Sequence, residues 1–154
     1  MKKLIFIVPI FILCLTGCSE ELESGVINCT LSSNDVVNGY QLNSTYKINY
    51  KGDYVESVET EEIVTSDDSA ILDYFETTIK DTYDKTSSAY GGYDYSVVNE
   101  NGKVISIVTI DYNEMNLEQF VTDQPVLKSY VENNKMLASG IKSMYEGMGA
   151  TCSE

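Results

Sequence analysis

From Tyr40 to Tyr50 the chain alternates cleanly. Tyr40, Leu42, Tyr46, Ile48 and Tyr50 fall on one face; Gln41, Asn43, Thr45, Lys47 and Asn49 fall on the other. A period of two, apolar on one side and polar on the other, belongs to a strand with one buried and one wet face. Such a strand needs neighbours in a sheet and a second layer to cover its apolar side. Lys51-Gly52-Asp53 supplies a turn, and Tyr54 to Thr65, rich in Val and Ile but dotted with Glu, returns as the other arm of a long hairpin.

A second hairpin follows the same plan. Tyr93 to Asn99 is one strand, Asn101-Gly102 is a strong two-residue turn signal, and Lys103 to Asp111 runs back. Val104 through Ile110 is apolar at most positions, which places this strand inside the sheet. Tyr46, Ile48, Val55, Ser57, Val58 and Thr60 match Tyr95, Val97, Val104, Ser106, Ile107 and Thr109 at a constant offset of 49, an internal echo that either an old duplication or the chance resemblance of strands would give. Between the hairpins, Ser66-Asp67-Asp68 offers an N-cap and acids suited to the positive end of a helix dipole. Ile71, Tyr74, Phe75, Thr78, Ile79 and Tyr83 then recur at helical spacing, predicting an amphipathic helix that ends near Ser87.

The flanks are less regular. Val26 to Leu31 reads as a first strand, carrying Cys29, followed by turn residues Ser32 to Asp35. Beyond Tyr112, Leu117 to Val121 and the stretch from Asp123 read as short helical turns, and Asn133-Asn134 as a separator. A last helix has Ser139 as N-cap, a stripe of Ile141, Met144, Tyr145 and Met148, and Gly149 as its C-terminal left-handed residue. The expected fold class is α+β: an antiparallel sheet of four to five strands with helices packed on one face, a two-layer sandwich on a ββα–ββα plan.

The chain opens with MKKLIFIVPIFILCLTGC: two lysines, an apolar run and small residues before Cys18. That is the layout of a secretory signal peptide, and the run from Leu4 to Leu15 falls short of the ~20 residues a membrane span needs. Leu15-Thr16-Gly17-Cys18 resembles the lipobox of bacterial lipoproteins. The resemblance implies cleavage after Gly17 and a diacylglycerol on the Cys18 thiol. The expected organisation is a signal peptide over 1–17, a lipid-anchored tether over 18–25 and one domain over 26–154. Two acyl chains suffice for stable anchoring. The net charge is −14, and losing Lys2 and Lys3 makes it −16. A chain this acidic repels nucleic acid and anionic headgroups, so membrane contact is expected from the lipid alone.

Composition also limits the chemistry. There is no His, Arg or Trp. Ser-His-Asp and Cys-His arrangements and imidazole-based zinc sites are therefore ruled out. Gly91-Gly92 lies between a helix and a strand, the wrong order for a phosphate loop, and Asn34 to Gly39 misses the spacing of a calcium loop. Neither a cofactor nor a metal is expected. With Cys14 in the discarded segment and Cys18 on lipid, Cys29 and Cys152 remain. Outside the cytoplasm an even pair reads as a disulfide; a reactive thiol would need a neighbouring base or cation. Twelve tyrosines are the unusual abundance. Most suit core and turn packing, but Tyr90, Tyr93 and Tyr95 cluster about Gly91 and Gly92, a candidate binding surface.

The lipobox, Asn28-Cys29-Thr30, the Tyr46-to-Asp53 hairpin, the Tyr90-to-Tyr93 break and the closing Met148-to-Cys152 together resemble the YehR-like lipoproteins, small bacterial lipoproteins with a domain of unknown function. The resemblance covers nearly all of the chain beyond Cys18. It implies an α/β two-layer domain at the cell envelope, with Cys18 as lipid site and Cys29 and Cys152 as a pair, and no catalytic or ligand residues. The functional expectation is a non-enzymatic, lipid-anchored module on the extracytoplasmic face of the cell membrane that binds an envelope protein or a small ligand. The alternative is a structural or accessory subunit of a membrane-associated complex, docking through its sheet.

Overall fold

The computed structural model describes residues 22–154. The signal peptide expected over 1–17, the lipid site expected at Cys18 and the start of the expected tether lie outside the described residues. Strands β1 (Ser24–Asp35), β2 (Tyr40–Lys51) and β3 (Tyr54–Thr65) form a meander; helix α1 (Ser69–Tyr90) crosses over to the hairpin of β4 (Tyr93–Glu100) and β5 (Lys103–Asp111). Helix α2 (Leu117–Asp123), a 3₁₀ turn (Pro125–Tyr130), a two-stranded ribbon of β6 (Val131–Glu132) and β7 (Lys135–Met136), helix α3 (Ala138–Gly147) and β8 (Thr151–Ser153) complete the chain. The main sheet is fully antiparallel, in the order β4-β5-β3-β2-β1-β8. The α+β class and the helix-covered sheet are as the alternation predicts. The sheet has six strands rather than four or five, because β8 adds three residues to the far edge.

The registers align the inner face into rows. Ile27, Ile48, Val58, Ile110 and Tyr93 make one; Cys29, Tyr46, Thr60, Val108 and Tyr95 the next. Leu31, Ser44, Glu62, Ser106 and Val97 make a third, and Ser33, Leu42, Val64, Val104 and Asn99 a fourth. The third row is polar at its centre, and it lies between two separate apolar clusters. The larger gathers Ile48, Val58, Met136 and Ile141 under α2 and α3; the smaller joins Val64 and Val104 to Leu72, Phe75 and Ile79 of α1. The opposite face carries Thr45, Lys47, Asn49, Glu59 and Glu61 and is mostly solvated.

Helix α1 starts at Asp68, not Ser66. The Asp68 carboxylate accepts the Ala70 N–H at 2.8 Å, while the Ser66 hydroxyl donates to the Gly39 carbonyl at 2.7 Å and so ties this end to the β1–β2 turn. The helix runs on to Tyr90, past Ser87. Its buried residue is Leu72, whereas Tyr74 is 66 % exposed, so the packed stripe is rotated from the expected one. Asp68→Ala is expected to cost about 1 kcal/mol, measured as a lower urea midpoint at unchanged slope.

At the other helix, α3 begins at Ala138 without a side-chain cap; Ser139 does not serve as the N-cap. Its start is set by the sheet, through a bridge between Tyr54 and Leu137 and an N–H of Ala138 donating to Asp53 at 2.9 Å. Asn133 and Asn134 both adopt positive φ, 52° and 57°, and form the two-residue turn of the β6–β7 ribbon.

Candidate functional site

The Tyr90–Tyr95 segment is held in place from inside. Gly91, at φ 69°, closes α1 by donating its N–H to the Ser87 carbonyl at 2.9 Å. Gly92, at φ 70°, sits against the β5–α2 connection: the Asp111 N–H donates to its carbonyl at 2.7 Å, and the Asn116 N–H donates to the Tyr90 carbonyl at 2.7 Å. A Cβ on Gly92 would fall 2.5 Å from the Asp111 carbonyl oxygen. Only glycine permits that approach.

The three tyrosines then go separate ways. Tyr90 meets Phe120 edge to face at 5.1 Å, and its hydroxyl donates to Asp123 at 3.1 Å. Tyr93 lies on the inner sheet face beside Ile110, where burial pushes its phenol up to about 12. Tyr95 donates a hydrogen bond to Asp84 of α1, and that bond, with some burial, raises its phenol. Burial and Asp123 raise Tyr90 likewise. All three stay neutral donors and none is a base or nucleophile at ordinary pH.

Tyr90 lines an outward groove, of about 600 Å³, between the end of α1 and α3, while Gly92 and Tyr93 border only a small hollow of about 140 Å³ with Asp111 and Glu114. Phe120, Leu127, Tyr130 and Met144 form its apolar walls, with Gln124 and Ser143 as polar groups. Gly140 of α3 lets the Tyr130 ring come close; a Cβ there would lie 2.6 Å from the Tyr130 Cβ. Aromatic walls with a few polar groups suit an apolar ligand carrying a polar handle. Phe120, Tyr130 and Met144 come from the stretch where the sequence pattern is weakest, although Phe120, Leu127 and Tyr130 are the apolar residues of its short turns.

A second concave surface lies at the opposite end. The β1–β2 turn leaves Val36 81 % and Val37 94 % exposed, and Tyr74 stands beside them at 66 %. Val37, Tyr40, Ile71, Tyr74 and Phe75 line a cleft of about 620 Å³ there. Because β1 runs the length of the sheet from Ser24 to Asp35, roughly 40 Å at the rise of a strand, this end is remote from the chain's N-terminal side.

Cys29 and Cys152 face each other in the β1–β8 register, with their sulfurs at 2.04 Å, disulfide-bonding distance. Cys29 is buried. The pair closes the sheet edge and stands apart from both grooves. No group of metal-ligating side chains occurs among the described residues, and no described helix is long and apolar enough to cross a membrane.

Searches against protein-family models and curated proteins return no match. Among solved structures, the chain is similar to the NMR structure of the Escherichia coli YehR protein, with a TM-score of 0.53 and 16 % identity over 81 % of this chain and 88 % of that one. It is also similar to an NMR structure of a protein from Streptococcus pneumoniae TIGR4, with a TM-score of 0.48 and 14 % identity over 99 % and 96 %. At such identities the likeness concerns architecture: over the matched 81 % of its length the chain has a YehR-like α+β fold.

Proposed function

We propose that the protein is a lipid-anchored, non-catalytic binding module on the extracytoplasmic face of the cell membrane, of the YehR-like lipoprotein kind. Cys18 carries the anchor and 18–25 the tether. The observation behind the binding role is the groove of Tyr90, Phe120, Leu127, Tyr130 and Met144, a concavity with aromatic and aliphatic walls and a few polar groups. Its ligand is apolar with one or two hydrogen-bonding groups, matched to Gln124 and Ser143. A thermal-shift screen of such compounds tests the reading, since a ligand at a hundred times its Kd raises stability by about 2.7 kcal/mol. Phe120→Ala should abolish the response while leaving the sheet folded. If no compound class shifts the wild type, or Phe120→Ala responds equally, the groove is not the site.

One observation favours a second reading, an accessory subunit of an envelope complex. Val36, Val37 and Tyr74 are exposed together at the end far from the tether, where a lipid-held domain reaches outward. A photo-crosslinker at Val37 in intact cells should capture one reproducible partner if that end docks; the groove reading requires none.

A further inference from the structure

The polar row across the core has a half-buried carboxylate at its centre and no cationic partner for it among the described residues. Ser44, Glu62 and Ser106 are directly opposite one another on β2, β3 and β5 and share the inner sheet face. Ser44 and Ser106 are 2 % and 0 % exposed, and neither hydroxyl oxygen has a hydrogen-bond partner. The Ser44 hydroxyl lies near the Tyr46 phenol without completing a bond to it. Tyr46 donates a long hydrogen bond of 3.4 Å to Glu62. Both ion pairs among the described residues, Lys47–Glu59 and Lys80–Glu76, use other carboxylates. Buried hydroxyls are usually satisfied and buried charges usually paired. Here two hydroxyls fail that rule on either side of a half-buried carboxylate that has no cationic partner among the described residues.

We propose that this row is a binding site for a small ammonium cation, either free ammonium or the –NH₃⁺ head of a short alkylamine. The Glu62 carboxylate supplies the charge, and the Ser44, Ser106 and Tyr46 oxygens accept further hydrogen bonds. Ammonium is donor only, and the Glu62, Ser44 and Ser106 oxygens, with the Tyr46 oxygen of the adjacent row, can all accept. A divalent hard cation fits worse, because it draws on several carboxylates and the row has one.

Binding is coupled to protons. Burial raises the Glu62 carboxyl above its ordinary 4.5, offset in part by the Tyr46 hydrogen bond. The titratable neighbours that face it are phenols: Tyr46 on β2, Tyr83 on α1 and Tyr145 on α3, with Tyr93 on β4 beyond them. Burial raises Tyr46, Tyr83 and Tyr145 most, with the Glu62 charge among the lesser causes, so all stay neutral. Without a cation, the folded state holds the Glu62 proton more tightly than the unfolded chain. Stability therefore falls as pH rises from 4.5 through the raised value. An ammonium ion that replaces the proton removes that fall.

The test uses the full chain in detergent, unfolded by heat at pH 8 in sodium, ammonium or methylammonium chloride at equal ionic strength. The proposal expects a higher Tm in ammonium or methylammonium than in sodium, loss of that difference in E62Q, and a roughly five- to tenfold weaker apparent affinity in S106A. A response to ammonium alone identifies the free ion, and one to methylammonium an amine head. Phe120→Ala should keep the full difference, which separates this site from the groove. A wild-type Glu62 carboxyl resonance that moves on adding ammonium confirms occupancy without any variant. Equal Tm values in all three salts, an E62Q response matching wild type, or a Glu62 that stays protonated through pH 8 with ammonium present would overturn it.

Discussion

Replacing Cys29 and Cys152 together with alanine is expected to lower stability by about 4–5 kcal/mol. The two residues are 123 positions apart, so the link closes nearly the whole domain into one loop. In the chain-entropy treatment a loop of that length removes roughly 4.7 kcal/mol of unfolded-state freedom. A second loss is local. β8 has only Thr151 to Ser153 with which to hold the sheet edge, and its register with β1 is centred on the bonded pair. Alanine is preferred to serine because Cys29 is buried, and a hydroxyl there would add its own desolvation cost. Urea unfolding of the oxidised, reduced and double-alanine forms checks the estimate. The last two should coincide at a lower midpoint, and amide exchange should accelerate most over 150–153. A reduced form within about 1 kcal/mol of the oxidised one would mean that the unfolded chain gains little freedom from the break.

How much of this was legible beforehand depended on how local the deciding forces were. The faces of β2 follow from its own alternation and fall as read, with Tyr46 and Ile48 buried and Lys47 exposed. The internal position of β5 follows from its apolar run, and the Cys29–Cys152 pairing from counting thiols. Where a distant contact decides, the pattern misleads. Ser66 has the chemistry of an N-cap but is engaged by the Gly39 carbonyl, so Asp68 caps α1 and Leu72 takes the buried position. The hairpin echo fails for a similar reason. A bulge near Glu56, opposite the Asn49–Tyr50 step, turns Val58 inward, to 0 % exposure, whereas its offset partner Ile107 is 51 % exposed. The same bulge puts Glu62 rather than Glu61 on the inner face. The polar row thus depends on one extra residue that periodicity does not reveal. Of the candidate surface, Tyr90 lines a groove; Tyr93 and Tyr95 belong to internal packing that only the register of β4 exposes to view.

Gly92→Ala is the second large effect, at about 3 kcal/mol, and it reaches the groove as well as the fold. Gly92 lies at φ 70°, where a residue with a Cβ loses roughly 1–2 kcal/mol. The added Cβ would also sit 2.5 Å from the Asp111 carbonyl oxygen and 3.0 Å from the Met115 nitrogen, both backbone atoms. No side chain can swing aside, so the β5–α2 connection must shift. That strains the Asp111-to-Gly92 and Asn116-to-Tyr90 hydrogen bonds, worth about 1 kcal/mol each. Asn116 is the N-cap of α2, whose Phe120 packs on Tyr90. The displacement is therefore carried into the groove wall. Gly91→Ala is the control: its φ is equally unfavourable, but a Cβ there would meet nothing closer than the Glu114 carbonyl oxygen at 3.5 Å. It should lose stability through the backbone alone and leave the Phe120 and Tyr90 ring resonances in place. Gly92→Ala should move both. Wild-type ring resonances in Gly92→Ala would show that the glycine serves the turn only, and that the groove is set by α2 and α3 without it.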